Sequence, residues 1–371
     1  MIDGAFQLPD LPREMANESP KGGGWRGVGV VLATAALMIG ASDMALRRVS
    51  PPKYVREVAD ALADYEHEDP TTLVLGSSHA RTFDVMDRMA RERTQGRERI
   101  LSVPLEAGNF TGFEWVLHHR VEPLIEERDA SGAKKRPSLK RLVLVAVWWD
   151  ACLVDGDPPN FNLPSRAWTF GDFAADVAAH GLNDHNRNYV TTRWLDLWHG
   201  SILVSDRGHA QVVEALHDRV KPLSAEAKEK QFQFRLRGWQ SIIERGKICG
   251  DHPKEVAAAD RILKWGQDKG YDVTFMLYPL RPITLSDDTR QNVQVPFQKT
   301  MRDVAERRGV RFVDATFDNG GIDDPDFQDF DHLTAAGHEK LSNWLLADKF
   351  AFVLDGHVSS PHTTDASGGR P

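Results

Sequence analysis

The sequence predicts an α/β fold, in which a mainly parallel sheet carries helices on both faces. Short apolar runs bounded by turn or charged residues recur along the chain, as is typical of buried strands. Segments with the apolar spacing of helices lie between them, and strand–helix alternation of this kind indicates parallel pairing. Hydrophobic residues make up 41% of the 371 residues, so the chain can bury a substantial core.

Five strands and six helices follow from these patterns. The predicted strands cover 72–75, 100–103, 142–148, 273–277 and 310–314. The last helix begins after Thr334, a residue type that favours helix N-caps, and runs to about 346. The other predicted helices cover 54–65, 80–93, 113–127, 253–269 and 293–308.

The alternation breaks between residues 153 and 248. This stretch is rich in Trp, His and Arg and contains helical patterns at 211–219 and 225–238. An unstructured loop of this length is uncommon inside a compact domain, so we expect a mainly helical insertion that forms a cap or lid. Cys152 and Cys249 flank it. They are candidates for a disulfide at its base in an oxidising compartment, and two unpaired buried cysteines are the equal alternative.

The N-terminal region predicts a membrane anchor. Residues 1–24 are polar and are expected to be disordered, and residues 27–46 carry no charge apart from Asp43. Twenty helical residues rise about 30 Å, which matches a bilayer core. We therefore predict a single transmembrane anchor at 25–48, with a buried core helix as the alternative. The main domain then covers 52–355, and the polar tail 356–371 is expected to be disordered.

Charge and motifs exclude several classes of function. The net charge of -8 offers no basic excess for a nucleic-acid backbone, so we expect no nucleic-acid partner. The chain contains no glycine-rich dinucleotide or phosphate loop, and no cofactor is predicted. Its histidine pairs do not match the two-histidine zinc helix, and the acidic run 323–331 lacks the calcium-loop pattern, so no metal is predicted either.

A serine stands where a nucleophile is expected. The first strand runs into Gly76-Ser77-Ser78-His79 and then into a helix. A strand-to-helix turn exposes a hydroxyl, and the start of the helix offers backbone N–H groups and the positive end of a dipole. The same tetrapeptide is compatible with an ordinary turn and N-cap, so a second observation is needed to assign a nucleophile.

The second signal lies before the last helix, where Asp329 and His332 are three residues apart. A serine hydroxyl is a poor nucleophile at neutral pH, so it needs a base to take its proton and an acid to orient that base. Active sites of parallel sheets lie at the carboxyl ends of the strands, where both segments are predicted to lie.

These two segments together resemble the SGNH (GDSL-like) hydrolase superfamily, over roughly residues 71–346 without the insertion, and in particular its membrane-anchored branch, which acts on cell-envelope polymers. The resemblance implies a flavodoxin-like, three-layer fold with a five-stranded parallel sheet. It also implies ester hydrolysis or acyl transfer, often of acetyl groups on carbohydrates. Ser78 corresponds to the nucleophile, with Ser77 as the alternative, His332 to the base and Asp329 to its orienting acid. The backbone N–H groups of Ser78 and Gly108 correspond to the oxyanion hole.

The chain departs from the family pattern after the third strand. The family places an asparagine there that donates to the oxyanion, and this sequence has Trp149. Loss of one such donor costs roughly 2.7–4 kcal/mol in the reaction barrier. Asn109 or the Trp149 indole are candidate substitutes, and Trp148 and Trp149 are candidates for stacking on a sugar.

These observations lead to two functional expectations. The first is a serine acyl esterase or O-acyltransferase, anchored in the inner (cytoplasmic) membrane with its main domain outside the cytoplasm, that acts on a cell-envelope or extracellular polysaccharide. The alternative is a catalytically weak or inactive partner of the same fold, which binds polysaccharide or a membrane-bound acyltransferase. The sequence does not distinguish hydrolysis from transfer.

Overall fold

The computed structural model describes residues 69–105, 108–130, 139–151, 168–182, 252–284 and 290–355, with residues 58–63, residue 287 and parts of 29–38, 186–190 and 226–237. The chain divides into two compact units, residues 1–51 and 52–371. Among the described residues, no helix is long and apolar enough to cross a bilayer. The predicted anchor at 25–48 lies outside that part of the chain except for six residues, which are helical and exposed: Gly29, Val30, Ala33, Thr34, Leu37 and Met38.

The second unit contains a five-stranded, all-parallel sheet in the order β2-β1-β3-β4-β5, which confirms the predicted α/β fold class. All five predicted strands form. Leucine and valine fill β1 and β3, and both strands are buried along their whole length, because helices cover both faces of the sheet. The strands are β1 Thr72–Gly76, β2 Ile100–Pro104, β3 Arg141–Ala146, β4 Asp272–Leu277 and β5 Arg311–Asp314.

Eight α-helices of the second unit are described from end to end. They are α1 Thr82–Thr94, α2 Phe110–Val116, α3 Glu122–Ala130, α4 Phe170–His180, α5 Pro253–Asp268, α6 Val295–Arg308, α7 Ala335–Ala347 and α8 Ala351–Asp355. A π-helical stretch, Leu117–Val121, joins α2 to α3, and another, Arg290–Gln294, precedes α6. The Thr334 side chain accepts a hydrogen bond from Gly337 N and caps α7 as predicted.

The strand order determines the arrangement of the layers. The chain moves from β1 outward to β2 on one side and then crosses to β3, β4 and β5 on the other. Right-handed crossovers therefore place the helix after β1 on one face and the helices after β2, β3 and β4 on the opposite face. Accordingly α1 packs against α7 and α8, while α5 packs against α2 and α6. This is a flavodoxin-like three-layer arrangement, with its switch point between β1 and β3.

The third strand is shorter than predicted. It ends at Ala146, and Trp148–Ala151 forms a 3-10 turn instead of continuing the strand. The turn closes because Asp150 N donates to the Val147 carbonyl and Val147 N donates to the Asp150 carboxylate. The periodicity of apolar residues does not detect this turn, since Val147 and Trp148 are as apolar as the strand before them.

The described residues of the insertion are mostly helical, as expected. Helix α4 lies there and begins at Thr169, whose side chain and that of Asp172 form a reciprocal capping box. The predicted helix at 225–238 is described at eight positions between 226 and 237, and all eight are helical. Cys152, Cys249 and the predicted helix at 211–219 lie outside the described residues.

A buried ion pair stabilises the end of the sheet opposite the carboxyl edge. Arg141 Nη1 donates to Glu98 Oε2 at 2.8 Å, and the Thr71 hydroxyl donates to the same oxygen at 2.6 Å. The side chains of Arg141 and Glu98 are only 1% and 4% exposed. Removing one partner of such a pair leaves an uncompensated buried charge.

We expect Glu98→Gln to lower the free energy of unfolding by about 3–5 kcal/mol, because the amide no longer balances the Arg141 cation. Urea unfolding followed by circular dichroism measures this. The control is Asp303→Asn, which breaks the exposed pair with Lys299 and should change the free energy by about 1 kcal/mol or less. Equal losses in the two variants would contradict the prediction.

Candidate active site

The nucleophile candidate lies just beyond the carboxyl end of β1. After Gly76 the chain makes a 3-10 turn, Ser78–Arg81, that continues directly into α1. A Cβ on Gly76 would lie 2.9 Å from the Val145 carbonyl oxygen, so glycine permits the close approach of β1 to β3 at this point. Ser78 is therefore at the N-terminal end of a helical run, where the first backbone N–H groups have no intrahelical acceptor.

The structure brings Ser78 and His332 together across 254 positions of sequence. The Ser78 Oγ lies 2.7 Å from His332 Nε2, which is hydrogen-bonding distance for a nucleophile and its base. Ser77 is 1% exposed and its Oγ lies 2.7 Å from a different histidine, His79. The geometry therefore pairs Ser78, and not Ser77, with His332.

His332 is held by a compact loop that precedes α7. His332 N donates to Asp329 Oδ1 at 2.8 Å, and Gln328 N donates to the His332 carbonyl at 2.9 Å. The Arg281 guanidinium donates to the Asp329 carbonyl at 2.8 Å and so ties the loop to the segment after β4. A Cβ on Gly337 would overlap the Asp326 carbonyl oxygen, so α7 and the loop pack together only with glycine there.

Two carboxylates, rather than the single one expected, face the other nitrogen of the base. His332 Nδ1 lies 3.0 Å from Asp329 Oδ2 and 3.0 Å from Asp331 Oδ1. The Asp331 side chain is 21% exposed and that of Asp329 is 42% exposed, so Asp331 is the more sheltered of the two. Sequence reasoning identified Asp329 and missed Asp331, although an acid directly before the histidine was visible in Asp329-Phe330-Asp331-His332.

These carboxylates make His332 strongly basic. Burial disfavours its charged form, but the hydrogen bonds to Asp329 and Asp331 outweigh burial and raise the pKa of His332 from its ordinary 6.5 to about 10. Burial also acts against the charge of Asp331, yet hydrogen bonds from His332 and His79 hold the pKa of that carboxyl well below its usual range. The site thus favours the protonated form of His332 at neutral pH.

A second histidine, His79, lies beside the first, and sequence reasoning gave it no role. Its ring is parallel to that of His332, with a centroid distance of 5.2 Å and an interplanar angle of 3°. His79 Nδ1 lies 2.7 Å from the Ser77 Oγ, and Nε2 lies 3.1 Å from the Asp331 carbonyl oxygen. Its position directly after the two serines was the available signal.

Asp150 is fully buried next to Ser77. Its Oδ2 accepts from Val147 N at 2.9 Å and lies 3.5 Å from the Ser77 Oγ, while its Oδ1 has no hydrogen-bond partner among the described residues. Complete burial raises the pKa of the Asp150 carboxyl well above its ordinary value, because the hydrogen bond from Val147 N does not offset the lost solvation.

Three residues expected at the site are engaged elsewhere. The Gly108 N–H donates to the Leu105 carbonyl at 2.8 Å, so in this conformation it does not face an oxyanion. Asn109 is fully buried as the N-cap of α2, with Oδ1 accepting from Gly112 N and Nδ2 donating to Glu255. Trp148 is 2% exposed in the hydrophobic core and presents no face to a sugar. Of the two expected tryptophans, Trp149 is the one at the site, half-buried and 5.6 Å from His79 between ring centroids.

The insertion reaches the loop that carries the base. Phe232 lies 5.3 Å from Phe330 between ring centroids, and the Arg281 guanidinium lies over the Phe232 ring at 4.8 Å. In the sequence, Phe330 lies between Asp329 and Asp331, the two aspartates that face His332. A helix of the insertion is therefore part of the wall around the site.

Within the described residues, one group of ligand-type atoms is close enough for a metal ion. It consists of His79, Asp331 and His332, whose atoms lie within 4.8 Å of one another. The Asp331 carbonyl can only accept a hydrogen bond, so His79 Nε2 carries a proton toward it. The rings are also stacked in parallel, so their in-plane lone pairs do not converge on one point. These atoms fit a hydrogen-bonded cluster better than a metal site.

Comparison with known proteins does not assign this chain to a family. No family model matches the chain, and no curated protein matches it. One solved structure that this chain matches is that of a "putative platelet activating factor from Streptococcus pneumonia". It has 11% sequence identity and a TM-score of 0.32, and the match covers 86% of this chain and 99% of that one.

Proposed function

We propose that this protein is a serine acyl esterase or O-acyltransferase, anchored in the inner membrane through residues 25–48, that acts on an acylated polysaccharide outside the cytoplasm. The observation that carries the proposal is the contact of 2.7 Å between the Ser78 Oγ and His332 Nε2, backed by two carboxylates at Nδ1. The anchor, the polymer and the side of the membrane derive from the sequence.

The geometry supports a two-step acyl transfer. His332 Nε2 takes the proton of the Ser78 hydroxyl as its oxygen attacks the acyl carbonyl, while Nδ1–H donates to Asp329 and the Asp331 carboxylate stabilises the imidazolium from 3.0 Å. The backbone N–H of Ser78, at the start of the helical run, is the donor that we assign to the oxyanion. His332 then returns the proton to the leaving oxygen. In the second step His332 deprotonates water or a sugar hydroxyl, whose oxygen attacks the acyl-serine carbonyl; the bond to the Ser78 oxygen breaks and His332 gives the proton back to that oxygen.

A mapped covalent adduct tests this proposal. The purified protein is treated with a fluorophosphonate, which phosphonylates activated serines, and the modified peptide is identified by mass spectrometry. An adduct on Ser78 supports the mechanism, and an adduct on Ser77 would replace the nucleophile. A folded protein that forms no adduct would reject the serine mechanism.

One observation favours the alternative of a catalytically weak partner protein. The Gly108 N–H and the Asn109 amide, both expected at an oxyanion hole, are committed to other acceptors, and Trp149 replaces the family's asparagine. A folded protein without a reactive serine that still binds polysaccharide in a sedimentation assay would establish this role.

The proposed base predicts an unusual pH dependence. His332 accepts a proton only when it is neutral, and its pKa is raised to about 10. We therefore expect the rate of phosphonylation to rise from neutral pH up to about pH 10, where an ordinary histidine would give a plateau near pH 7.5. Second-order rate constants measured from pH 6 to 10.5, with circular dichroism at each pH, test this. A plateau by pH 8 would show that the carboxylates do not raise the basicity of His332.

A further inference from the structure

His79 is the most enclosed titratable group in contact with the proposed base. It is 2% exposed, and elements from four parts of the fold surround it. Ser77 belongs to its own turn, while Asp331 and His332 come from the loop before α7. Tyr278, at the end of β4, lies 4.7 Å away between ring centroids, and Trp149, after β3, lies 5.6 Å away.

The hydrogen-bond partners of the two ring nitrogens indicate which nitrogen of His79 carries the proton. The Asp331 carbonyl oxygen can only accept, so the proton lies on Nε2. In the neutral ring Nδ1 must then accept, and the Ser77 hydroxyl is its donor at 2.7 Å. Both ring nitrogens are thus committed, and His79 is not placed to take a proton from Ser78.

The same bonds connect His79 to the carboxylate that faces His332. The Asp331 main chain is held by His79 Nε2–H, and the Asp331 carboxylate lies 3.6 Å from that nitrogen and 3.0 Å from His332 Nδ1. The parallel stack with His332 also limits the tilt of the catalytic ring. Charges that face His79 are those of Asp331 and His332, while Asp150 lies behind Ser77.

We propose that His79 is a positioning residue, which holds the Asp331 main chain and the His332 ring so that the Asp331 carboxylate stays on His332 Nδ1. The inference rests on the proposed function and deepens it, because it assigns control of the basicity of His332 to a residue that does not touch substrate. His79 acts through Asp331, so its effect on His332 should vanish when the Asp331 carboxylate is absent.

Two matched substitutions separate the roles of the ring and its hydrogen bonds. His79→Phe keeps a ring against His332, Tyr278 and Trp149 but has no donor for the Asp331 carbonyl. His79→Gln loses the ring, yet its amide N–H reaches about as far as Nε2 and can donate to that carbonyl. If His79 acts through the hydrogen bond, the phenylalanine variant should change the pKa of His332 more than the glutamine variant does.

The measurement is the pKa of His332 in the full-length protein, obtained by NMR titration of histidine-labelled protein and assigned with His332→Gln. We expect His79→Phe to lower it by about 1 unit or more, because an ionised carboxylate near a histidine raises its pKa by an amount of that order. His79→Gln should stay closer to the wild type. In the Asp331→Asn background, His79→Phe should produce no further change.

Several results of the titration would reject the positioning role of His79. An unchanged pKa in a folded His79→Phe variant would reject the proposal, and so would a shift of equal size in the Asp331→Asn background. If His79→Phe does not fold, Ser77→Ala removes the donor to His79 Nδ1, together with a weak contact to Asp150, and should move the pKa of His332 in the same direction; no shift there would also reject the proposal. The titration does not require a reactive serine, so absence of a Ser78 adduct would reject the proposed function without deciding this inference.

Discussion

The Ser78→Ala variant should lose esterase activity by roughly 10⁴- to 10⁶-fold, the range seen when a triad serine is removed from a serine hydrolase. The loss is expected because the methyl group cannot form the acyl intermediate, and His332 then has no hydroxyl to deprotonate. Initial rates with an activated acetate ester measure the effect, and the fluorophosphonate adduct should disappear in parallel.

Ser77→Ala is the matched control for this prediction. Ser77 is buried and its hydroxyl is committed to His79, so its removal should leave the adduct on Ser78, even if the rate falls. An adduct that survives Ser78→Ala and disappears in Ser77→Ala would contradict the assignment and exchange the roles of the two serines.

The second large effect is expected from the carboxylates as a pair. Asp329 and Asp331 lie at the same distance of 3.0 Å from His332 Nδ1, so either one can orient the ring when the other is removed. We expect Asp329→Asn and Asp331→Asn each to lower the rate modestly, and the double variant to lower it by about 10⁴-fold. The double loss should greatly exceed the product of the single losses, because the two groups share one task.

Rate constants for phosphonylation at pH 9 measure these effects. The control is Asp318→Asn, which removes an exposed carboxylate that pairs with Lys349 and does not contact the site. If one single variant were as slow as the double variant, only that carboxylate would orient His332. If the double variant kept most of the wild-type rate, neither would.

Much of the fold could be predicted from local patterns. All five strands were visible as apolar runs, because strands buried on both faces need apolar side chains throughout. The N-cap Thr334 was visible because a side-chain oxygen is needed for the first N–H groups of a helix. The end of β3 was not visible, because the Asp150 carboxylate that closes the following turn acts through the backbone of Val147.

The candidate site could be predicted only where its parts are adjacent in sequence. Ser78 follows a strand, and Asp329 and His332 share one short loop, so local spacing indicates both halves. Two of the expected oxyanion donors have other hydrogen-bond partners, for a different reason. Gly108 and Asn109 lie where the family resemblance places them, but their hydrogen-bonding groups are used to turn the chain and start α2.

By itself, the sequence determined which segments form the strands of the sheet, indicated that Ser77 or Ser78 can act with Asp329 and His332, and led to the expectation of an anchor at the N-terminus. Only the tertiary structure decided that two carboxylates face His332, that His79 stacks on it, and that Trp148 is core while Trp149 lies at the site. The physical reason is that strand and helix periods are properties of neighbouring residues. The contacts of a buried polar cluster depend on which side chains meet across the sheet, and that packing arises only when distant segments come together.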